Sequence, residues 1–195
     1  MYNIIRKQAR KALTAALLAA SAIGAPAMAT TLSFTPAAGS VTVGGNVAVD
    51  VRVSGLAAGV DVGAFDFSVL FNSGVLNLTG YSLGAALGDL SAFEALDIGA
   101  GSTGAGKFNL AEISLLSDLA FQQDSFTLAT LYFTAVASGN AALSLGEVVL
   151  GDAFGNVLAA DQGGAAVSAV PEPQALLLFL SGLALLGAAR RQRKQ

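Results

Sequence analysis

The chain has no cysteine, no histidine and no tryptophan among its 195 residues. Without cysteine there is no disulfide framework and no thiolate metal site. Without histidine the commonest general base and the commonest zinc ligand are missing. Without tryptophan a sugar-stacking surface lacks its largest platform. Charge is also scarce, at 12% of residues against 54% apolar ones, an apolar balance even for a globular protein. Positive charge is nearly absent from the middle. Between Thr30 and Ala169 the only basic residues are Arg52 and Lys107, against 12 of the 13 acids, a formal charge of −10. Such a surface repels nucleic-acid phosphates and anionic membranes. It admits cations and neutral polymers, so no nucleic-acid partner is expected.

What is present is partitioned. Residues 1–29 have the three parts of a secretory signal peptide. "IIRKQARK" is basic, "ALTAALLAASAIG" is apolar, and "APAMA" ends in small residues at Ala27 and Ala29. The cut is expected after Ala29. At the other end, residues 167–195 hold Val170, Pro171, Glu172 and Pro173, then an uncharged run over 175–189, then Arg190, Arg191, Arg193 and Lys194. As a transmembrane helix the run would span about 22 Å at 1.5 Å per residue, short against a hydrocarbon core of about 30 Å. Its leucines and phenylalanine would contribute on the order of −4 kcal/mol to insertion, and the basic tail would stay on the cytoplasmic side. Two prolines bar helix continuation and keep the preceding segment extended, as a membrane protease or transpeptidase requires.

Pro-Glu-Pro, apolar run and basic cluster, in that order, resemble the PEP-CTERM sorting signal of Gram-negative bacteria. The resemblance implies export and at least transient anchoring in the inner membrane. It also implies processing near the Pro-Glu-Pro by an exosortase-type enzyme, and a final place at the cell surface or in the medium. Many proteins with this signal accompany exopolysaccharide or biofilm production.

Residues 30–166 alternate with a period of two, the spacing of half-buried strands. "VAVDVRVS" puts Val47, Val49, Val51 and Val53 on one face and Ala48, Asp50, Arg52 and Ser54 on the other. "FDFSVLF" and "VLNLT" follow, with "NSG" as the turn between them; "FNLAEISL" alternates again. "FTLATLYFTAVAS" carries Phe126, Leu128, Leu131 and Phe133, and the break at Ala129 and Thr130 predicts a bulge or a change of face. "AALSLGEVVLGDAFGNVL" ends the domain with short strands around a Gly-Asn turn. Helical signal is confined to "LGDLSAFEALDIG", which fits one helical turn or an irregular loop. Short strands separated by Gly, Ser, Asn and Asp turns predict an all-β sandwich.

The stretch from "VTVGGNVAVDVRVSG" through "GAFDFSVLFNSGVLNLTG" resembles the first half of a cohesin domain, and "FTLATLYFTAVASGNAALSLGEVVL" its second half. The resemblance implies a nine-stranded jelly-roll β-sandwich and a dockerin-like protein as partner. Phe71-Asn72-Ser73 stands where the family commonly has a Tyr-Asp-Pro turn.

Candidate chemistry is thin. Gly101, Gly106 and Lys107 fit G-x-x-x-x-G-K, but Phe108 replaces the magnesium-binding Ser or Thr and no helical pattern follows. A turn into the next strand explains the stretch better. Two of the acids could form a glycosidase pair. Asp61, Asp66, Asp152 and Asn156, in or near turns, are oxygen donors suited to calcium but lack a calcium-loop spacing. Tyr81 and Tyr132 are the tyrosines outside the signal segment. Tyr81 is the candidate ligand contact, and Tyr132 alternates with core positions and should face outward. The expectation is a non-enzymatic exported binding or structural module without a cofactor, save a structural calcium. Its partner would be polysaccharide or a dockerin-like protein. The competing expectations are a carboxylate-dependent polysaccharide hydrolase and a self-associating surface protein.

Overall fold

A computed structural model describes residues 29–171. Residues 1–28 of the expected signal segment, Ala27 among them, the run over 175–189, the basic tail, Glu172 and Pro173 lie outside the described residues. In chain order the strands are β1 (Thr31–Thr35), β2 (Ala38–Thr42), β3 (Asn46–Ser54), β4 (Val62–Phe71), β5 (Leu76–Leu83), β6 (Ala95–Asp97) and β7 (Gly101–Gly104). They continue as β8 (Lys107–Ser114), β9 (Phe126–Ala135), β10 (Gly139–Asp152), β11 (Val157–Leu158), β12 (Asp161–Gln162) and β13 (Ala165–Val170). They form two sheets, one ordered β12-β1-β3-β9-β5 and a larger one ordered β2-β13-β10-β4-β8-β6, with β11 on β10 and β7 on β8. Nine of the described strands have five or more residues, and β6, β7, β11 and β12 are shorter additions.

The sheets face each other because their alternating apolar residues have nowhere else to go. Val49, Val51 and Val53 are fully buried, as are Leu131, paired with Val49, and Phe133, paired with Val47, in the same sheet. Phe67, Val69, Leu110, Leu143 and Val167 close the core from the larger sheet. Tyr132 does face outward, at 43% exposure. The break at Ala129 is a bulge. Val51 pairs with Ala129 but Arg52 with Thr127, which leaves Leu128 as the extra residue. Leu128 and Ala129 are therefore both buried.

"NSG" turns, but between sheets rather than within a hairpin: β4 belongs to the larger sheet and β5 to the smaller. Asn72 holds the turn, its backbone oxygen accepting from Val75 and Leu76 and its side chain from Gly74. In "LGDLSAFEALDIG" a single 3-10 turn covers Leu90–Ala92, with Asp89 accepting from the Ser91 amide. Ala95–Asp97 of that stretch is strand β6. Strand β13 runs to Val170, past the boundary expected at 166, and pairs in parallel with β2. The first residue of the expected sorting motif is thus also the last residue of the sandwich.

Candidate functional site

The outer side of the larger sheet divides into two halves. Near the start of β8 it is polar. Lys107 Nζ reaches Glu147 Oε2 at 2.7 Å, and Ser68 Oγ donates to the same oxygen at 3.1 Å. The bond from Lys107 holds the Glu147 carboxyl below its ordinary value. Glu147 reaches this position because β10 bulges between Gly146 and Val149, where Glu147 itself has φ 54°. Asn109 Nδ2 donates to Asp66 Oδ1 at 2.7 Å, also on this side.

Toward the end of β8 the same side turns apolar. Cross-strand register places Leu96 beside Ile113, Ile113 beside Ala64, Ala64 beside Gly151, and Gly151 beside Val157. Paired residues share a face, so this is one row across five strands. Leu96 is 41% exposed, Ile113 38% and Val157 78%. Val149 adds an exposed side chain beside the row, next to Asp66. A contiguous exposed apolar surface of this kind, edged by polar residues, marks an interaction site more often than scattered single residues do.

The inner side holds a second unusual feature. Register runs Leu150, Phe65, Glu112, Asp97 across β10, β4, β8 and β6. Glu112 therefore projects toward the core, and it is fully buried. Neither carboxyl oxygen has a hydrogen-bond partner. Burial pushes its pKa up to about 7, with the Asp97 charge adding to the effect. Asp97 lies at the rim, where Oδ2 accepts from Tyr81 Oη at 2.6 Å and Oδ1 from the Gly99 amide at 3.0 Å. Tyr81 also packs its ring on Phe108, centroids 5.2 Å apart. Tyr81 is 37% exposed, and it joins β5 of one sheet to β6 and β8 of the other. Its bond to Asp97, then its partial burial, raise its own pKa.

The other sequence candidates are placed as follows. Asp152 and Asn156 meet in the β10–β11 turn, where Asp152 accepts from the amides of Phe154 and Asn156 and from Asn156 Nδ2 at 2.8 Å each. Asp66 is engaged elsewhere, by Asn109. Among the described residues no three carboxylates converge as a metal site would require. Gly101 to Lys107 form strand β7, a turn and the start of β8, with no helix after the lysine. Asp97 and Glu112 are neighbours, yet Glu112 is closed off from solvent and so from any sugar. Val170 is 42% exposed at the end of β13, with Pro171 exposed after it. The sequence reading missed Glu112 and the apolar row. Phe108 and Leu110 share its parity and signal the first; only cross-strand register reveals the second.

Residues 169–194 match the PEP-CTERM protein-sorting motif. The sequence matches no curated protein. Its fold is shared with solved cohesin modules. The cohesin module of a Clostridium perfringens ATCC13124 family 33 glycoside hydrolase superimposes with a TM-score of 0.61 at 16% identity, covering 74% of this chain and 99% of that one. The sixth cohesin of Acetivibrio cellulolyticus scaffoldin B, solved in complex with a mutant Cel5 dockerin, gives 0.61 at 18% identity, with 73% and 99% covered. A non-cellulosomal cohesin from the hyperthermophilic archaeon Archaeoglobus fulgidus gives 0.57 at 16%, with 75% and 95% covered. The β-domain has the cohesin fold, and at these identities the likeness is one of architecture.

Proposed function

We propose that this protein is an exported binding module, sorted through its PEP-CTERM segment by an exosortase-type enzyme and held by its C-terminal run. It recognises a partner protein through the apolar half of the larger sheet's outer side. The reading is one of binding rather than catalysis. The observation that carries it is the row from Leu96 through Ile113, Ala64 and Gly151 to Val157. An apolar centre with the acid Asp66 beside it suits a small module presenting an apolar ridge with basic residues around it. A dockerin-like protein has the right character, since a solved relative of this fold is itself bound to a dockerin. The signal peptide cut after Ala29 and processing near Val170 to Pro173 belong to the same proposal, as does work at the cell surface or in the matrix.

The test is co-purification of the full-length, tagged protein from the envelope and medium of its producer. Wild type is compared with a Leu96→Asp, Ile113→Asp double variant and with Ala48→Asp on the outer side of the other sheet. All three altered positions are exposed, so folding is retained. Recovery of the partner falls by about tenfold or more in the double variant, because two charges are forced into a desolvated centre, and stays at the wild-type level in Ala48→Asp. Equal recovery from all three would sink the assignment of this face. Recovery of the chain's own second copy alone would make it a self-association surface.

A further inference from the structure

The topology brings every short connection at one end of the sandwich beside the point where the chain leaves it. Residues 43–45, 72–75, 105–106 and 136–138 are the turns at this end. They are joined to one another and to β13. Val43 donates to the Val170 oxygen at 2.9 Å, Gly44 to Ala135 at 2.7 Å, Val136 to Val75 at 2.8 Å, and Phe71 to Gly106 at 2.8 Å. None of these turn residues is charged. Lys107, at the start of β8, adjoins this end and is paired with Glu147. The opposite end is acidic. Its connections carry Asp61, Asp89, Glu94, Asp118 and Asp124, and Asp152 and Asp161 stand at strand ends there.

We propose that, while the protein is anchored, this uncharged end rests on the lipid headgroups and the acidic end points away from the membrane. The proposal rests on the anchored reading given above. From Val170 to the start of the apolar run at residue 175 is five residues, a reach of at most about 17 Å. Two of the five are prolines, which narrows the available directions further. The headgroup layer alone takes up about 5–8 Å of that reach. Strands of ten residues, such as β4 and β9, extend about 33 Å, so the tether is too short for the domain to stand inverted with its far end on the bilayer. Charge acts in the same sense, because the acids are repelled by anionic lipid while the uncharged turns are not. The partner face then stands upright, with its apolar half on the side away from the membrane.

Because the chain has no cysteine, single cysteines report position directly. Ser73→Cys and Ala105→Cys label the uncharged end; Gln123→Cys and Ala153→Cys label the acidic end. All four positions are exposed. Each full-length variant, carrying a fluorophore, is reconstituted into phosphatidylethanolamine–phosphatidylglycerol vesicles that contain a headgroup-bound quencher. The Ser73 and Ala105 probes lose most of their emission, and the Gln123 and Ala153 probes keep theirs. Equal quenching at both ends of protein that floats with the vesicles overturns the orientation and leaves the anchor standing. Protein that does not float with the vesicles overturns the anchor, and the orientation with it.

Discussion

Replacing Glu112 by Gln removes a pH dependence from the stability of this protein and makes it more stable than wild type at about pH 8. The wild-type carboxyl titrates at about 7 in the folded state against 4.5 when unperturbed. Between those values the folded chain holds a proton that the unfolded chain has released. Stability therefore falls as pH rises through this window, and is level below and above it. A shift of this size corresponds to about 3 kcal/mol at about 1.4 kcal/mol per pH unit. Glu112→Gln abolishes the ionisation and leaves an amide of the same shape, so the variant and wild type converge near pH 4. Glu112→Leu also removes the unpartnered polar atoms and should exceed Gln across the range. Denaturant unfolding of the full-length protein from about pH 4 to pH 8 checks this. The difference between wild type and variant isolates Glu112 from the carboxyls of Asp89, Glu147 and Asp152, whose pKa values are lowered by hydrogen bonds. Parallel curves for wild type and Glu112→Gln would mean that water or a partner group reaches Glu112.

The same carboxyl shows what a sequence of this kind reveals. Strand faces were legible wherever large apolar residues alternate, as in β3 and β9, because burial of one face imposes that period. The bulge was legible too, since Leu128 and Ala129 are two neighbours that both need the core. Strand β13 was partly hidden. Its inward residues are Ala165, Val167 and Ala169, and alanine gives a weak signal of burial. Strand β6 has three residues, too few for any period. Glu112 occupies an apolar slot of "FNLAEISL" by parity alone, a local conflict of the kind that marks a site under some other constraint.

The candidate face was not legible for a different reason. Leu96, Ile113, Ala64, Gly151 and Val157 come from five strands, and nothing local aligns them. Their adjacency depends on register between strands far apart in sequence, which the whole core sets together. Charge polarity was hidden in the same way. The sequence lists acids along the chain, and only the order of strand directions sorts them to one end.

Gly106→Ala lowers stability by about 3 kcal/mol, while Gly104→Ala changes it by less than about 0.5 kcal/mol. Both glycines lie in the stretch that half-matches a phosphate-binding loop, and the contrast separates that motif from a turn. Gly106 has φ 71°, and a Cβ there would collide with the Phe71 carbonyl oxygen. The Phe71 amide donates to the Gly106 oxygen at 2.8 Å, so the close approach holds the end of β4 to the β7–β8 turn. An alanine must adopt a left-handed backbone and also push the two segments apart, which costs that hydrogen bond. Gly104 has open space where a Cβ would go. Urea midpoints of the two variants, at unchanged slope, measure the difference. Equal midpoints would mean that the turn relaxes freely and that steric necessity is not why Gly106 is there. A wild-type midpoint that rises on adding ATP and magnesium would return the stretch to nucleotide binding, since a ligand of the folded state must stabilise it. An unchanged midpoint, with Gly106→Ala alone destabilised, leaves the glycine serving the junction of β4 with the β7–β8 turn, at the uncharged end of the sandwich.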